Sequence, residues 1–470
     1  MTDRWGIAAR TAGALCVVAA ATGVGVQHPP IGSTLITLIV LLYLTRRLDG
    51  WRRLFAITIT LLVAATSTQP QLAAGSFYLR YAALGLLVVL TFAASPSRPQ
   101  SRSGLPAQVL IGALWAAAAL ATLSSMWSVS PTHTLQQAAA MLLFVALIHG
   151  LVLRRWVDRS RIAGDLGVAY VVLTVSIIVS LAAAFGGVDS AWAFDGRLQG
   201  IYANPNLTGL LCAVTLPLGW AVYRQTRRRP VLLGFVPVAV ALVLTESRTA
   251  LLATVVGAVW AIARHGAGSV ARLAGASAAV VGVSYLAGAT ALVVQAEWVG
   301  SLTQRFTDPA GGDYSSGRTG AWHAAVQLWG DQPVVGYGYS AGPRLFELTR
   351  GADLFGSAVN YVHNSYLQWL LELGLVGAVP LGAALTVCMW VVLRAPLAGV
   401  GGGLVWLVAV GLLVQVTESA MFGLGQPYPY VFWLAVAAAA TRPLSGRHRA
   451  AGGAAGLHGA EVGRVPAGAS

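Results

Sequence analysis

Long apolar runs constrain this chain more than any other feature. A bilayer core takes about 20 mostly apolar residues per helix. Fourteen stretches approach or exceed that length: 11–27, 31–45, 54–68, 77–94, 105–125, 135–153, 162–185, 207–223, 231–245, 249–263, 273–294, 374–393, 400–420 and 429–441. Those at 249–263 and 429–441 are short for a span, which sets the expectation at about 12–14 transmembrane helices. Charged residues make up only 10% of the 470 and hydrophobic ones 56%, whereas a soluble domain carries about 25% charged residues. A soluble globule is excluded, and the fold class is an all-α polytopic membrane protein. The first run reads as an uncleaved helix, because further spans follow it. Cys16, Cys212 and Cys388 sit inside apolar runs, with no disulfide framework and no metal spacing.

Charge then sets the threading. The net charge of +14 comes from 30 basic residues, all of them arginine, against 16 acidic ones. Such a balance raises nucleic-acid binding, but these arginines lie between apolar runs and point first to membrane topology. Cytoplasmic loops carry the excess of basic residues. With the N-terminus inside and alternating spans, 23 arginines fall inside and 7 outside, while five acids fall inside and eleven outside. Both termini are therefore expected on the cytoplasmic side of the plasma membrane, with the bilayer as a partner and no nucleic acid. The seven outer arginines are Arg80, Arg197, Arg248, Arg305, Arg318, Arg344 and Arg350.

The chain divides into an N-terminal transmembrane bundle (1–294), a long extracytoplasmic loop (295–365), C-terminal transmembrane helices (366–441) and a Gly/Ala-rich tail (442–470) read as disordered. A loop of this length implies a role. Within it, RTGAWHAAVQLWG at 318–330 sets Trp322, Ala325, Val326 and Trp329 at helical spacing. This predicts an amphipathic helix at the outer interface, ended by Pro333 and Gly336.

Polar residues concentrate at the outer mouths. The loop 186–206 holds Asp195, Arg197 and Asn206; SRTALL places Arg248 at a helix mouth; the long loop holds Arg318, Tyr337 and His363. The plain reading has Arg248 snorkelling to headgroups, and Arg197 and Arg318 paired with Asp195 and Asp313. Against it, charge at membrane level is costly and marks function by default. Arginine forks bind phosphate oxygens, and a histidine takes a proton from a hydroxyl near neutral pH. His323 is the close competitor to His363. No nucleotide-binding or metal motif stands out, and GYGYS at 336–340 follows no strand.

Four pieces, GRLQGIYANPNLTGL (196–210), TESRTALLA (245–253), SGRTGAWHAAVQLWGDQPVVGYG (316–338) and HNSYLQWLLELGLVG (363–377), resemble the O-antigen ligase and O-antigen polymerase superfamily of bacterial membrane glycosyltransferases. The resemblance implies a GT-C type membrane fold. It implies a glycan donor linked to an isoprenoid diphosphate, typically undecaprenyl diphosphate, and transfer to a hydroxyl of a glycan or lipid acceptor at the outer face, with no cofactor and no divalent metal. Carried over, Arg248 and Arg318 match the diphosphate-binding arginines and His363 the family histidine. Arg197 is a weaker match. Asn206, Tyr337, Asn364 and Glu372 join as expected substrate-binding residues, Glu372 having an equal reading as a charge at a helix start. The motifs do not separate ligase from polymerase. An Ala/Gly/Val/Arg-rich, lysine-free composition suggests a GC-rich genome and tips the expectation slightly to polymerase. The alternative is a flippase for lipid-linked oligosaccharide, which would place charge along a central cavity and often carry inverted repeats.

Overall fold

The structure is a computed structural model that describes residues 48–93, 104–194, 196–264, 318–349 and 361–441. Among these residues it is all-helical apart from one two-residue hairpin, β1 (Trp192–Ala193) with β2 (Arg197–Leu198). The helices are α1 (Gly50–Ala64), α2 (Pro70–Ala93), α3 (Leu105–Leu123), α4 (Pro131–Gly150), α5 (Ser160–Phe185), α6 (Pro205–Thr226), α7 (Pro230–Leu233), α8 (Phe235–Leu244), α9 (Arg248–Ala263), α10 (Arg318–Asp331), α11 (Gly342–Thr349), α12 (Ser365–Arg394), α13 (Gly401–Val414) and α14 (Pro427–Ala440).

Eleven of the fourteen expected spans fall on described residues, and each is helical over most of its length. The runs 11–27, 31–45 and 273–294 lie outside the described residues, as do Asp195, Asp313 and the tail. Among the described residues six helical stretches are long and apolar enough to cross a membrane, and four shorter apolar ones accompany them. The chain is a multi-pass membrane protein.

The short helices have a physical reason. At 1.5 Å per residue, a 14-residue helix reaches only about 21 Å, short of a hydrocarbon core of about 30 Å. All fourteen residues of α14 are buried, and it touches α1, α3, α4, α6, α12 and α13. It is the axis of the bundle, enclosed by protein on every side. The backbone before it corrects one expectation. The run 400–420 is not helical throughout: α13 ends at Val414, and 415–426 folds across the end of the bundle.

Helix starts follow their caps. Asn204 Oδ1 accepts from Leu207 N–H with Pro205 in the first turn, and Asn364 Oδ1 accepts from Tyr366 and Leu367 N–H. Side-chain oxygens of this kind satisfy N–H groups that a helix start leaves open, and proline fits there because it has no N–H to lose.

One end of the bundle is pinned by charge. Asp165, 2% exposed, accepts from Arg52 Nε at 2.9 Å, Arg155 Nε at 2.6 Å, Arg155 Nη2 at 2.8 Å and Trp156 Nε1 at 3.1 Å. Four donors on one buried carboxylate offset its desolvation and join the starts of α1 and α5 to the segment after α4. Two arginines expected only to set topology therefore also build the fold. At the opposite end of α1 and α5, Ser67 pairs with Tyr202.

α12 is two helices broken at Gly374 (φ 60°, ψ −160°). The turn segment 333–338 plugs the break backbone to backbone. Leu375 N–H donates to Pro333 O, Val376 N–H to Val334 O, Tyr337 N–H to Leu371 O and Gly338 N–H to Glu372 O. A Cβ on Gly374 would stand 2.3 Å from Val334 O, and its backbone angles belong to a region nearly restricted to glycine. Gly374→Ala is expected to lose about 1–3 kcal/mol from backbone strain alone, with the clash in addition. A thermal unfolding midpoint in detergent equal to that of the parent would refute this.

Candidate active site

The site lies at the end of the bundle opposite the Asp165 cluster. It is organised by the loop 415–426, which holds the start of α12. Ser365 N–H donates to Gln415 O at 2.9 Å, and Asn364 N–H to Ser419 Oγ at 3.2 Å. Ser365 Oγ contacts Gln415 Oε1, donates to Glu418 O and accepts from Ala420 and Met421 N–H. His363 immediately precedes this latch. Its φ of 51° is a left-handed conformation in which histidine and asparagine are enriched, so the ring is placed by a specific backbone turn. Its side chain is 39% exposed, half open to a ligand, with Tyr361 ring edge against it.

Glu418 joins the parts. It is 9% exposed. Its Oε1 accepts from Arg318 Nη2 at 2.7 Å, and its Oε2 stands 3.8 Å from His363 Nδ1. The first contact is a charge-assisted hydrogen bond; the second is beyond hydrogen-bond reach. The residue before Glu418 completes the assembly. Thr417 Oγ1 bonds Thr249 Oγ1 at 2.8 Å, so the first turn of α9, which starts at Arg248, is tied to the same loop.

Arg197 lies one step behind. It is 7% exposed and donates through Nε to Thr245 O at 3.0 Å and through Nη2 to Asn206 Oδ1 at 2.8 Å. It thus braces the turn 245–247 that launches α9. Gly209 allows α6 to approach that turn, since a Cβ there would stand 2.7 Å from Ser247 Cβ. Among the described residues Arg318 pairs with Glu418, and Arg197 binds a carbonyl and an amide; the expected partners Asp195 and Asp313 lie outside those residues.

The remaining expected residues hold the scaffold in this structure. Glu372 is 2% exposed. Its Oε2 accepts from Ser340 N–H at 2.8 Å and its Oε1 from Gln368 Nε2 at 2.8 Å. It clamps the segment 338–342, where Gly338 and Ser340 have positive φ. Tyr337 donates its hydroxyl to Leu328 O at 2.9 Å. Burial pushes that phenol above its ordinary value. Asn364 uses its Oδ1 as the α12 cap.

α10 buries Ala321, Ala324 and Ala325 and leaves Val326 exposed, so its inward stripe sits about one position from the expected one. His323 points outward as an exposed residue. His133, given no role from sequence, stands with Nε2 3.3 Å from Ser340 Oγ.

Sequence reasoning missed Glu418, Thr417 and Ser365, and counted Arg80 among the outer arginines without giving it a role. The usable signal was polarity inside an apolar run, QVTES at 415–419. Arg80, only 6% exposed, packs its guanidinium on Phe77 and Tyr81 and donates to Gly425 O at 2.9 Å, tying α2 to the same loop.

Comparison with curated proteins gives no match. Comparison with protein families matches the O-antigen ligase family over residues 233–382. The match takes in Arg248, Arg318, His363 and Glu372; Arg197 and Glu418 lie on either side of it. Residues 233–382 match an O-antigen ligase domain, whose family consists of polytopic membrane glycosyltransferases that act on lipid-linked glycans.

Proposed function

We propose that this end of the bundle faces the outside of the plasma membrane, with both chain termini cytoplasmic. There it transfers a glycan from an isoprenoid diphosphate, of the undecaprenyl class, to a hydroxyl of an acceptor. The observation that carries the reading is the assembly of Arg318, His363 and the first turn of α9 on the single loop 415–426. Phosphate-binding and proton-accepting chemistry meet there at the edge of a bundle of membrane helices. The arginine count supports the orientation, since the opposite end carries Arg52 and Arg155.

In this mechanism Arg318 and Arg248 hold the diphosphate. The start of α9 adds the positive end of a helix dipole, and its first turn carries no acid to oppose it. The acceptor hydroxyl attacks the anomeric carbon. A C–O bond forms there, while the bond from the anomeric carbon to the diphosphate oxygen breaks and its electron pair leaves with the diphosphate. The hydroxyl proton passes to His363, and the configuration inverts. Fixed positive groups aimed at the charge that grows on the leaving group stabilise the transition state without reorganising. Arg197 and Asn206 act by holding the turn before Arg248.

Between the two transfer reactions, polymerisation is the one favoured, on the lysine-free composition. The test is reconstitution in vesicles with lipid-linked oligosaccharide and a divalent chelator. Chain extension with release of isoprenoid diphosphate is expected. Transfer to a different acceptor would replace polymerase by ligase, and movement of the lipid with no bond change would overturn the enzymatic reading.

A further inference from the structure

Glu418 faces two groups whose tasks occur at different moments. One carboxylate oxygen is held by Arg318 at 2.7 Å, while the other stands 3.8 Å from His363 Nδ1 without bonding it. The carboxylate is nearly buried, so the strength of each contact depends on whether the other is made. Its backbone is fixed, because Glu418 O accepts from Ser365 Oγ and Glu418 N–H donates to Val414 O. Only the side chain is free to redistribute, and closing the gap to His363 takes a shift of about 1 Å.

We propose that Glu418 is a positioning residue that couples donor binding to the readiness of His363. Without donor, it neutralises Arg318. When a diphosphate takes the Arg318 guanidinium, Glu418 turns to His363 and accepts a hydrogen bond from Nδ1–H. That bond selects the tautomer with Nε2 unprotonated and toward the acceptor, and it stabilises the imidazolium formed as Nε2 receives the hydroxyl proton. No covalent bond changes in this step. The coupling delays an active base until a donor is seated. It also means that Glu418 competes with the donor for Arg318, so its charge weakens donor binding while aiding the chemistry. Binding energy is exchanged for rate in this way whenever an interaction is remade only along the reaction.

This rests on the transferase reading above, and the experiment separates the two. Glu418→Gln keeps the shape and an acceptor oxygen but removes the charge. Steady-state transfer with lipid-linked oligosaccharide in vesicles should show two opposite changes: the donor KM falls about fivefold or more, and kcat falls about tenfold or more. A residue that merely supports the fold would not tighten donor binding. A second measurement uses a short-chain isoprenyl diphosphate on the detergent-solubilised protein. Glu418→Gln should bind it more tightly than the parent, and the gain should vanish in an Arg318→Gln background, as a double-mutant cycle requires for a contact made through Arg318. If Glu418→Gln does not fold, Glu418→Asp, with its charge drawn back by one methylene, should show the same two directions at smaller size. Unchanged or weaker donor binding in the folded variant, or a gain that persists without Arg318, overturns the coupling. Absence of transfer in the parent protein overturns the transferase reading instead, whatever the binding cycle gives.

Discussion

His363→Ala should slow glycan transfer by about 10²–10⁴-fold, the range general-base catalysis supplies, while binding of an isoprenyl diphosphate stays within a fewfold of the parent. In the proposed mechanism the ring receives the acceptor's proton, and Arg248 and Arg318 hold the donor. Its backbone complicates the reading, because φ is 51° and alanine tolerates the left-handed region less well than histidine or asparagine. His363→Asn removes the complication. Asparagine keeps the backbone preference but offers no basic nitrogen. If both variants lose the rate, the ring chemistry is responsible. If His363→Asn retains parent activity, the ring is only a spacer and the base assignment fails.

The sequence reads well where physics is local. Most of each apolar run among the described residues became helix, because burial and backbone satisfaction in a bilayer leave few alternatives. Arg318 and His363 were legible as polar exceptions in outer loops, and Arg248 as a charge at a helix mouth. The reading ran out where the determining contact is long-range. Arg318 and Glu418 are 100 residues apart, and no periodicity connects them. Glu418 was also hidden by averaging: Gln415, Thr417 and Glu418 follow an apolar stretch long enough to absorb them into a span. The break at Gly374 was invisible for the opposite reason, since ELGLVG reads as unbroken helix until 333–338 is found docked against it. Tyr337, Asn364 and Glu372 were noticed as polar groups near the right motifs. Sequence alone cannot show that their hydrogen-bonding atoms are already committed to a carbonyl, a helix start and a loop.

Arg318→Lys tests how the donor is held, and it should reduce kcat/KM for transfer by about 10²-fold, the cost of losing one well-placed donor to developing charge. Lysine preserves the charge and can still reach Glu418, so an effect of charge alone would be nearly silent. The two differ in geometry. Guanidinium is a planar fork whose parallel N–H groups match two phosphate oxygens, while ammonium is a compact and strongly hydrated point charge. In the structure Arg318 reaches Glu418 through Nη2, which shows the fork already turned toward the loop that holds His363. A diphosphate arriving there must meet the fork and displace the carboxylate, and an ammonium makes that exchange with one contact where guanidinium makes two. The loss should therefore appear in kcat as well as in donor KM, since charge on the leaving group grows as the glycosidic bond breaks. Parent-level kcat/KM in Arg318→Lys would show that positive charge alone suffices at this position and would remove bidentate recognition from the mechanism. Arg248→Lys, examined beside it, should behave alike if both forks share the diphosphate. An effect confined to Arg318 would make Arg248 a helix-mouth anchor rather than a donor ligand.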